Sequence, residues 1–374
     1  MKFEVSSAAL QSRLQSISKV IASKNPLPIL DSFLFELSSD KLTITASDVE
    51  TRMVTSVGVT GVEGEGMFAI PAKMLLEPLK ELPEQPLRFE INDENMEILF
   101  HFENGKYNLI GSRGDTYPQQ KALSSTFTAV SVDAQTLLNG ITRSLFATAD
   151  DELRPVMNGI YFDIHQEDLT FVASDGHKLV RLTNKSIQSA EAAAFILPKK
   201  PANLLRNILA KETESVEIKF DENNAYITCH GFEMVCRLIE GRYPNYNSVI
   251  PQDNPHKVTI DRIAMLNALK RVSIFANASS SLIKLQIRSN RMIVSAQDLD
   301  FSTSAEEQVA CFYDGEELNI GFKATFLIEI LSNIASESVN LELADPSRAG
   351  IVVPTEDAEQ ENLLMLLMPM MLND

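Results

Sequence analysis

Tryptophan is absent from this 374-residue sequence, cysteine occurs three times and histidine five times, and positive charge is scarce: 33 Lys and Arg face 51 Asp and Glu, a net charge of −18. Each shortage excludes something. Cys229, Cys236 and Cys311 are odd in number and lack CxxC spacing, which argues against a disulfide framework and predicts reduced core thiols. No window of 18 uncharged apolar residues occurs, so no membrane-spanning helix is expected. Glu4 interrupts the stretch a signal peptide would need, and the expected location is cytoplasmic. With 15 Gly and 16 Pro, collagen-like and low-complexity classes are out. The 44% of hydrophobic and 22% of charged residues make a globular composition, and the length predicts two or three domains. An acidic balance also argues against nucleic acid, whose phosphates attract Lys and Arg, unless the charge is unevenly placed.

What the chain does have is internal repetition. IPAKMLLEPLKEL from Ile70, LPKKPANLLRNIL from Leu197 and IGFKATFLIEILSNI from Ile320 are spaced 127 and 123 residues apart. LTITASDVETRMV from Leu42, LTFVASDGHKLVR from Leu169 and RMIVSAQDLDFST from Arg291 follow at 127 and 122, and helical segments from Ala9, Thr136 and Met265 at 127 and 129. Tyr117-Pro118, Tyr243-Pro244 and Met368-Pro369 keep the same step. The period implies three copies of one unit, with boundaries near 121 and 250: residues 1–121, 122–250 and 251–374. Each copy reads as a short strand, an amphipathic helix, alternating strands, a second helix opened by Pro or Gly, and final strands, an α+β unit of two helices and about eight strands. Leu10, Leu14, Ile17 and Ile21 place one apolar stripe on the first helix.

Charge is unevenly placed. Helices expected over 6–22, 71–82, 133–149, 198–211, 261–277 and 322–335 hold 13 basic and 5 acidic residues, leaving 20 basic against 46 acidic elsewhere. Six helices, basic on the solvent side and apolar on the other, suit a curved array whose positive surface faces a polyanion, inside an acidic shell. Lys73, Lys199, Lys200, Arg206, Lys270 and Arg271 belong to that surface on this reading; the plainer alternative is solvated decoration of helix faces. Helices of this length cross several phosphates without entering a groove, so binding would be sequence-independent.

Signals for an enzyme are weak. SDGH at 174–177 holds an Asp and a His, but Asp-Gly between alternating strands is a hairpin signal. Cys229, His230 and Cys236 lack zinc-ligand spacing. GVEGEG at 61–66 lacks the helix and Lys of a phosphate loop. No catalytic residue, metal site or cofactor is expected.

NPLPIL at 25–30, IPAK at 70–73, MNGIYFD at 157–163, VASDGHKL at 172–179, GRYPNY at 241–246, IGFKATFLIEIL at 320–331 and MPMML at 368–372 together resemble the bacterial DNA polymerase III β subunit family, the β sliding clamps, along the whole chain. The resemblance implies three clamp domains per chain, a head-to-tail homodimer whose ring of six domains encircles duplex DNA with twelve helices lining the hole, and a non-catalytic role. A separate loader would open the ring, and the clamp would tether the polymerase III catalytic subunit, other polymerases and repair proteins. It further implies a pocket for short peptides built from Met157, Ser174, Gly176, His177, Lys178, Leu179, Pro244, Val249, Leu367, Met368, Pro369, Met370 and Met371, with Lys323 and Phe326 nearby. Lys24 matches a basic DNA-contact position, and Tyr107 and Leu109 of one subunit would meet Ile274 and Phe275 of the other.

The residues themselves agree in kind, because polarizable Met side chains suit a surface that repacks against many partners. Alternation along the terminal strand means that part of LLMLLMPMML faces the core instead. This sequence departs from the best-known members at Ser248 and Met371, where they carry Arg, at Pro155-Val156, where they carry a DNA-touching aromatic pair, and in the added Asn373-Asp374. A rival reading is a three-repeat peptide-binding scaffold that never encircles DNA; it leaves the helix charge unaccounted for.

Overall fold

A computed structural model describes residues 1–119 and 123–372. The first third of the chain runs β1 (Lys2–Ser6), α1 (Ser7–Ile17), β2 (Ser32–Leu37), β3 (Lys41–Ser47), β4 (Thr51–Gly58), β5 (Thr60–Glu63), β6 (Gly66–Pro71), α2 (Ala72–Glu81), β7 (Pro86–Ile91), β8 (Glu97–Phe102), β9 (Gly105–Ile110) and β10 (Ser112–Arg113). The second runs β11 (Thr128–Asp133), α3 (Ala134–Leu145), β12 (Gly159–Ile164), β13 (Leu169–Ser174), β14 (Lys178–Asn184), β15 (Ala193–Pro198), α4 (Lys199–Leu209), β16 (Ser215–Phe220), β17 (Asn224–Cys229) and β18 (Phe232–Arg237). The third runs β19 (His256–Asp261), α5 (Arg262–Val272), β20 (Leu282–Arg288), β21 (Arg291–Asp298), β22 (Thr303–Phe312), β23 (Leu318–Lys323), α6 (Ala324–Ser332), β24 (Ser338–Leu343), β25 (Gly350–Pro354) and β26 (Glu361–Leu367).

The expected order recurs three times, with three corrections. The first copy carries ten strands rather than about eight, because short β5 and β10 join its sheet edges. The helices are shorter than their apolar periodicity implied: α1 stops at Ile17 and continues only as a 3₁₀ turn over Ser18–Val20. Even so, the trimmed helices hold ten basic residues against three acidic ones among the described residues. Cys229 and Cys236 are buried thiols as expected, but Cys311 is only half-buried.

The chain forms two compact units, one of residues 1–135 with 203–238, the other of residues 136–202 with 239–374. Strand pairing explains why the middle third is shared out. In the first unit a nine-stranded sheet runs β10-β6-β2-β3-β4-β18-β17-β16-β11, joined at β4 and β18, and a five-stranded sheet runs β5-β1-β7-β8-β9. In the second, twelve strands run β15-β12-β13-β14-β26-β25-β24-β19-β22-β21-β20-β23, joined at β14 and β26.

Alternation puts one side of each strand inward. Phe3 stacks on Phe89 at 4.9 Å and Phe35 on Phe68 at 5.4 Å in the first unit, and Phe162 on Phe195 at 4.5 Å in the second. Ser6 caps α1 by accepting from the Ala9 N–H, and Leu10, Leu14 and Ile17 are fully buried beneath it. Burial of each such side chain contributes about 1.5–3 kcal/mol. α1 packs on α2 in the first unit and α5 on α6 in the second.

Candidate functional site

The β13–β14 hairpin turns tightly at Asp175–Lys178. Asp175 Oδ1 accepts from the N–H groups of His177 (2.8 Å) and Lys178 (2.9 Å), and Ser174 Oγ donates to the Lys178 carbonyl at 2.8 Å. Gly176 sits at φ +92°, a region costly for any residue with a Cβ, so the Asp-Gly pair does the work of a turn.

β26 runs beside β14 and ends at Leu367, where the chain leaves the sheet as a short strap. The Met368 N–H donates to the His177 carbonyl and the Met370 N–H to the Gly321 carbonyl, both at 2.8 Å. Pro369 has no N–H and cannot extend the ladder between them. At Gly321 a Cβ would lie 2.6 Å from the Met370 carbonyl oxygen, so only glycine lets the strap lie against β23. Met368 and Met371 are exposed, at 42% and 75%, while Pro369 and Met370 are half-buried.

Beside the strap lies a stack of rings and charges. Lys178, buried, places Nζ 2.6 Å from Glu329 Oε2, 3.4 Å from Asp175 Oδ2 and 4.3 Å over the Phe326 ring. Lys323 Nζ lies 4.7 Å from the same ring, and the His177 ring stacks on it at 6.0 Å. Behind them Leu179 belongs to an apolar cluster with Val172, Ile196, Tyr243, Ile250 and Leu366, where Tyr161 stacks on Tyr243 at 4.7 Å. Burial raises the Tyr243 hydroxyl above its ordinary pKa; burial first, and then its hydrogen bond to Asp163, raise that of Tyr246.

Of the residues expected at a peptide pocket, Gly176, His177, Pro244, Val249, Met368 and Met371 are exposed, and Lys323, Phe326, Pro369 and Met370 are partly so. Met157, Ser174, Lys178, Leu179 and Leu367 are buried and support the surface from behind. Lys178 in particular spends its charge on Glu329, a relationship no local pattern announced.

The basic residues divide likewise. Lys24, Lys73, Arg206 and Lys270 are exposed, and Lys200 is partly so. Lys199 Nζ pairs with Asp150 at 2.6 Å, and Arg271 makes a two-pronged pair with Glu307 at 2.8 and 2.6 Å. Arg143 pairs with Glu361, and Arg262 donates to the Leu331 carbonyl near the end of α6 and to the Ser336 carbonyl beyond it, so these two helix charges serve the fold.

Tyr107 and Leu109 lie on β9, an edge strand of the five-stranded sheet; Tyr107 is 38% exposed and Leu109 is buried. Ile274 and Phe275 follow α5 in a 3₁₀ turn and are 77% and 40% exposed. That turn packs against β21 and β22, whose connection presents Leu299 and Phe301, 79% and 78% exposed. The sequence reading missed this pair; its signal was two large apolar residues flanking an Asp in a turn.

Residues 1–121, 131–245 and 247–370 match, in order, the N-terminal, central and C-terminal domains of the DNA polymerase III beta subunit. The beta sliding clamp of Haemophilus influenzae is 27% identical, over 98% of this chain and 99% of its own. That of Pseudomonas aeruginosa is 26% identical over the full length of both. The crystal structure of the Pseudomonas aeruginosa sliding clamp bound to griselimycin superposes with a TM-score of 0.92 at 26% identity, covering 100% of each chain.

Proposed function

The chain belongs to the DNA polymerase III beta-subunit family, and on that footing we propose that it is a DNA sliding clamp: two copies, joined head to tail, encircle duplex DNA and hold polymerases on it. The observation that carries this reading is the split of charge. Exposed Lys and Arg gather on the helices of an otherwise strongly acidic chain, which suits sequence-independent contact with phosphates and repels DNA elsewhere. Lys24, Lys73, Lys200, Arg206 and Lys270 face the duplex; Lys199 and Arg271 contribute less because Asp150 and Glu307 partly neutralise them.

Each chain supplies three clamp domains with boundaries near residues 121 and 250, the first of which falls outside the described residues. The β9 edge with Tyr107 and Leu109 meets Ile274 and Phe275 of the second copy, and Leu299 and Phe301 extend that contact. A heterologous contact of this kind closes into a ring when its rotation fits. The surface made by His177, Pro244, Val249, Met368, Met370 and Met371 receives short peptides of the polymerase III catalytic subunit, the clamp loader and repair proteins. With Ser248 and Met371 at this surface, partner motifs rely on apolar more than charged contacts. Asn373-Asp374 lies outside the described residues. The protein performs no chemistry, needs no cofactor and works in the cytoplasm; among the described residues no helix is long and apolar enough to cross a membrane.

Retention on DNA tests the whole reading. In the presence of a clamp loader and ATP, the protein should stay on a nicked circular plasmid and slide off after linearisation. Equal loss from both would leave only a peptide-binding scaffold.

A further inference from the structure

The junction of β4 with β18 repeats the strand register and the main backbone bonds of the junction of β14 with β26. In the second unit the Met368 N–H donates to the His177 carbonyl; in the first, the Arg237 N–H donates to the Glu50 carbonyl at 2.9 Å. Asp48 Oδ1 accepts from the Glu50 and Thr51 N–H groups at 2.7 and 2.6 Å, as Asp175 does for His177 and Lys178. Ser47 Oγ lies 3.2 Å from the Thr51 carbonyl, where Ser174 Oγ donates to that of Lys178 at 2.8 Å, although the shorter Ser47 bond, 2.7 Å, goes to the Asp48 carbonyl. Thr51 pairs with Cys236 and Arg52 with Val235, where Lys178 pairs with Leu367 and Leu179 with Leu366.

At the first junction this architecture opens a groove of about 620 Å³ lined by Leu27, Leu30, Val49, Arg52, Tyr226 and Val235; of its carboxylates, Asp48 is held by the Glu50 and Thr51 N–H groups and Glu50 lies 3.9 Å from Arg237. Leu27 and Val49 are 48% and 66% exposed. Among the residues that differ between the two junctions, Arg52 changes the chemistry of the groove most. Leu179 is buried in an apolar cluster, whereas Arg52 occupies its place with loosely satisfied donors: Nη1 reaches the Pro118 carbonyl at 3.2 Å, Nη2 the Thr45 hydroxyl at 3.4 Å, and Nε has no partner. Charge-assisted bonds of a guanidinium to a carboxylate are shorter, about 2.7–2.9 Å, and bidentate.

We propose that this groove is a second peptide-docking site, selective for an extended segment that sets an acidic side chain on Arg52 and an aliphatic or aromatic one between Leu27 and Val49. Its analogy with the β14–β26 surface rests on the peptide-binding reading of that surface; its ligand preference rests on Arg52. A partner that carries both an apolar and an acidic-apolar motif would then grip one subunit at two places.

The test is methyl-detected NMR of the intact protein, labelled at Leu, Val and Met, titrated with Ac-Gly-Asp-Leu-Phe-Gly-amide and with its Asp-to-Lys counterpart. Shifts of the Leu27, Val49 and Val235 methyls with the acidic peptide, weakened about tenfold in Arg52→Gln and in the surface variant Val49→Glu, would support the site. The Val49→Glu side chain is solvent-facing, so an unchanged melting temperature separates lost binding from lost fold. Shifts confined to Met368, Met370 and Met371 would overturn the second site and leave the first standing. No shift at either place, equal binding of the Lys peptide, or full affinity in Arg52→Gln would overturn it as well.

Discussion

Lys178 and Glu329 lie 2.6 Å apart, joining a β14 residue whose side chain is 6% exposed to one on α6 that is 44% exposed. Removing the exposed partner leaves the buried ammonium with the longer 3.4 Å contact to Asp175 and the Phe326 ring. Glu329→Gln should therefore destabilise by about 1–3 kcal/mol, less than for a fully buried pair because water screens the carboxylate. Adding Lys178→Met should recover most of the loss. Chemical denaturation of the four proteins of this cycle checks it, and a double variant as weak as Glu329→Gln alone would contradict it.

Gly321→Ala should detach the strap, since the new Cβ would press on the Met370 carbonyl oxygen and Leu372. Peptide affinity at the strap falls while the melting temperature moves little, because the strap contributes few buried side chains. Met368→Ala with Met371→Ala, both exposed, should weaken peptide binding by about 1–3 kcal/mol at roughly 25 cal/mol per Å², again with a native melting temperature. Fluorescence anisotropy of a labelled peptide reports both.

Alkaline pH should unfold the protein partly through its thiols. Burial pushes Cys236 up to about 12 from an ordinary 9.0, and Cys229 up to about 11. The unfolded chain loses these protons first, so the stability they supply is complete below pH 9 and declines as pH rises toward the folded values. Between pH 8 and 10.5, Cys236→Ala should lose about 2 kcal/mol less than the parent in urea titrations. Identical slopes for the two proteins would remove Cys236 as the cause.

Reversing the exposed Lys73, Arg206 and Lys270 to Glu should abolish retention on circular DNA and leave folding intact. Arg271→Gln should have a much smaller effect, because its guanidinium already holds Glu307. Retention measured against salt concentration separates the two.

Ile274→Glu, placed at a residue 77% exposed in a single chain, should leave the fold unchanged and prevent the proposed pairing of two copies. Sedimentation equilibrium at micromolar concentration would show one chain for the variant and two for the parent. Leu299→Glu should behave the same way.

Much of this was legible along the chain, because helices, strands and turns are written in patterns a few residues long. The Leu10-Leu14-Ile17 stripe, the Asp175-Gly176 turn and the concentration of Lys and Arg on helices need no knowledge of distant residues, and the three-fold period follows from comparing such patterns along the chain. Tertiary structure alone decided the rest. Pairing of β4 with β18 and of β14 with β26 joins residues up to 189 apart, as Lys178 with Leu367, and divides the middle repeat between two compact units. The same folding fixed which charges are paired: buried Lys178 with Glu329, and at the surface Lys199 with Asp150 and Arg271 with Glu307. Such pairs follow from the positions of whole sheets and helices, and a charge on a helix face reads identically in sequence whether it meets solvent or a carboxylate. The aligned repeats already set Arg52 against Leu179, but only the fold showed that Leu179 is buried in an apolar cluster while Arg52 lines a groove.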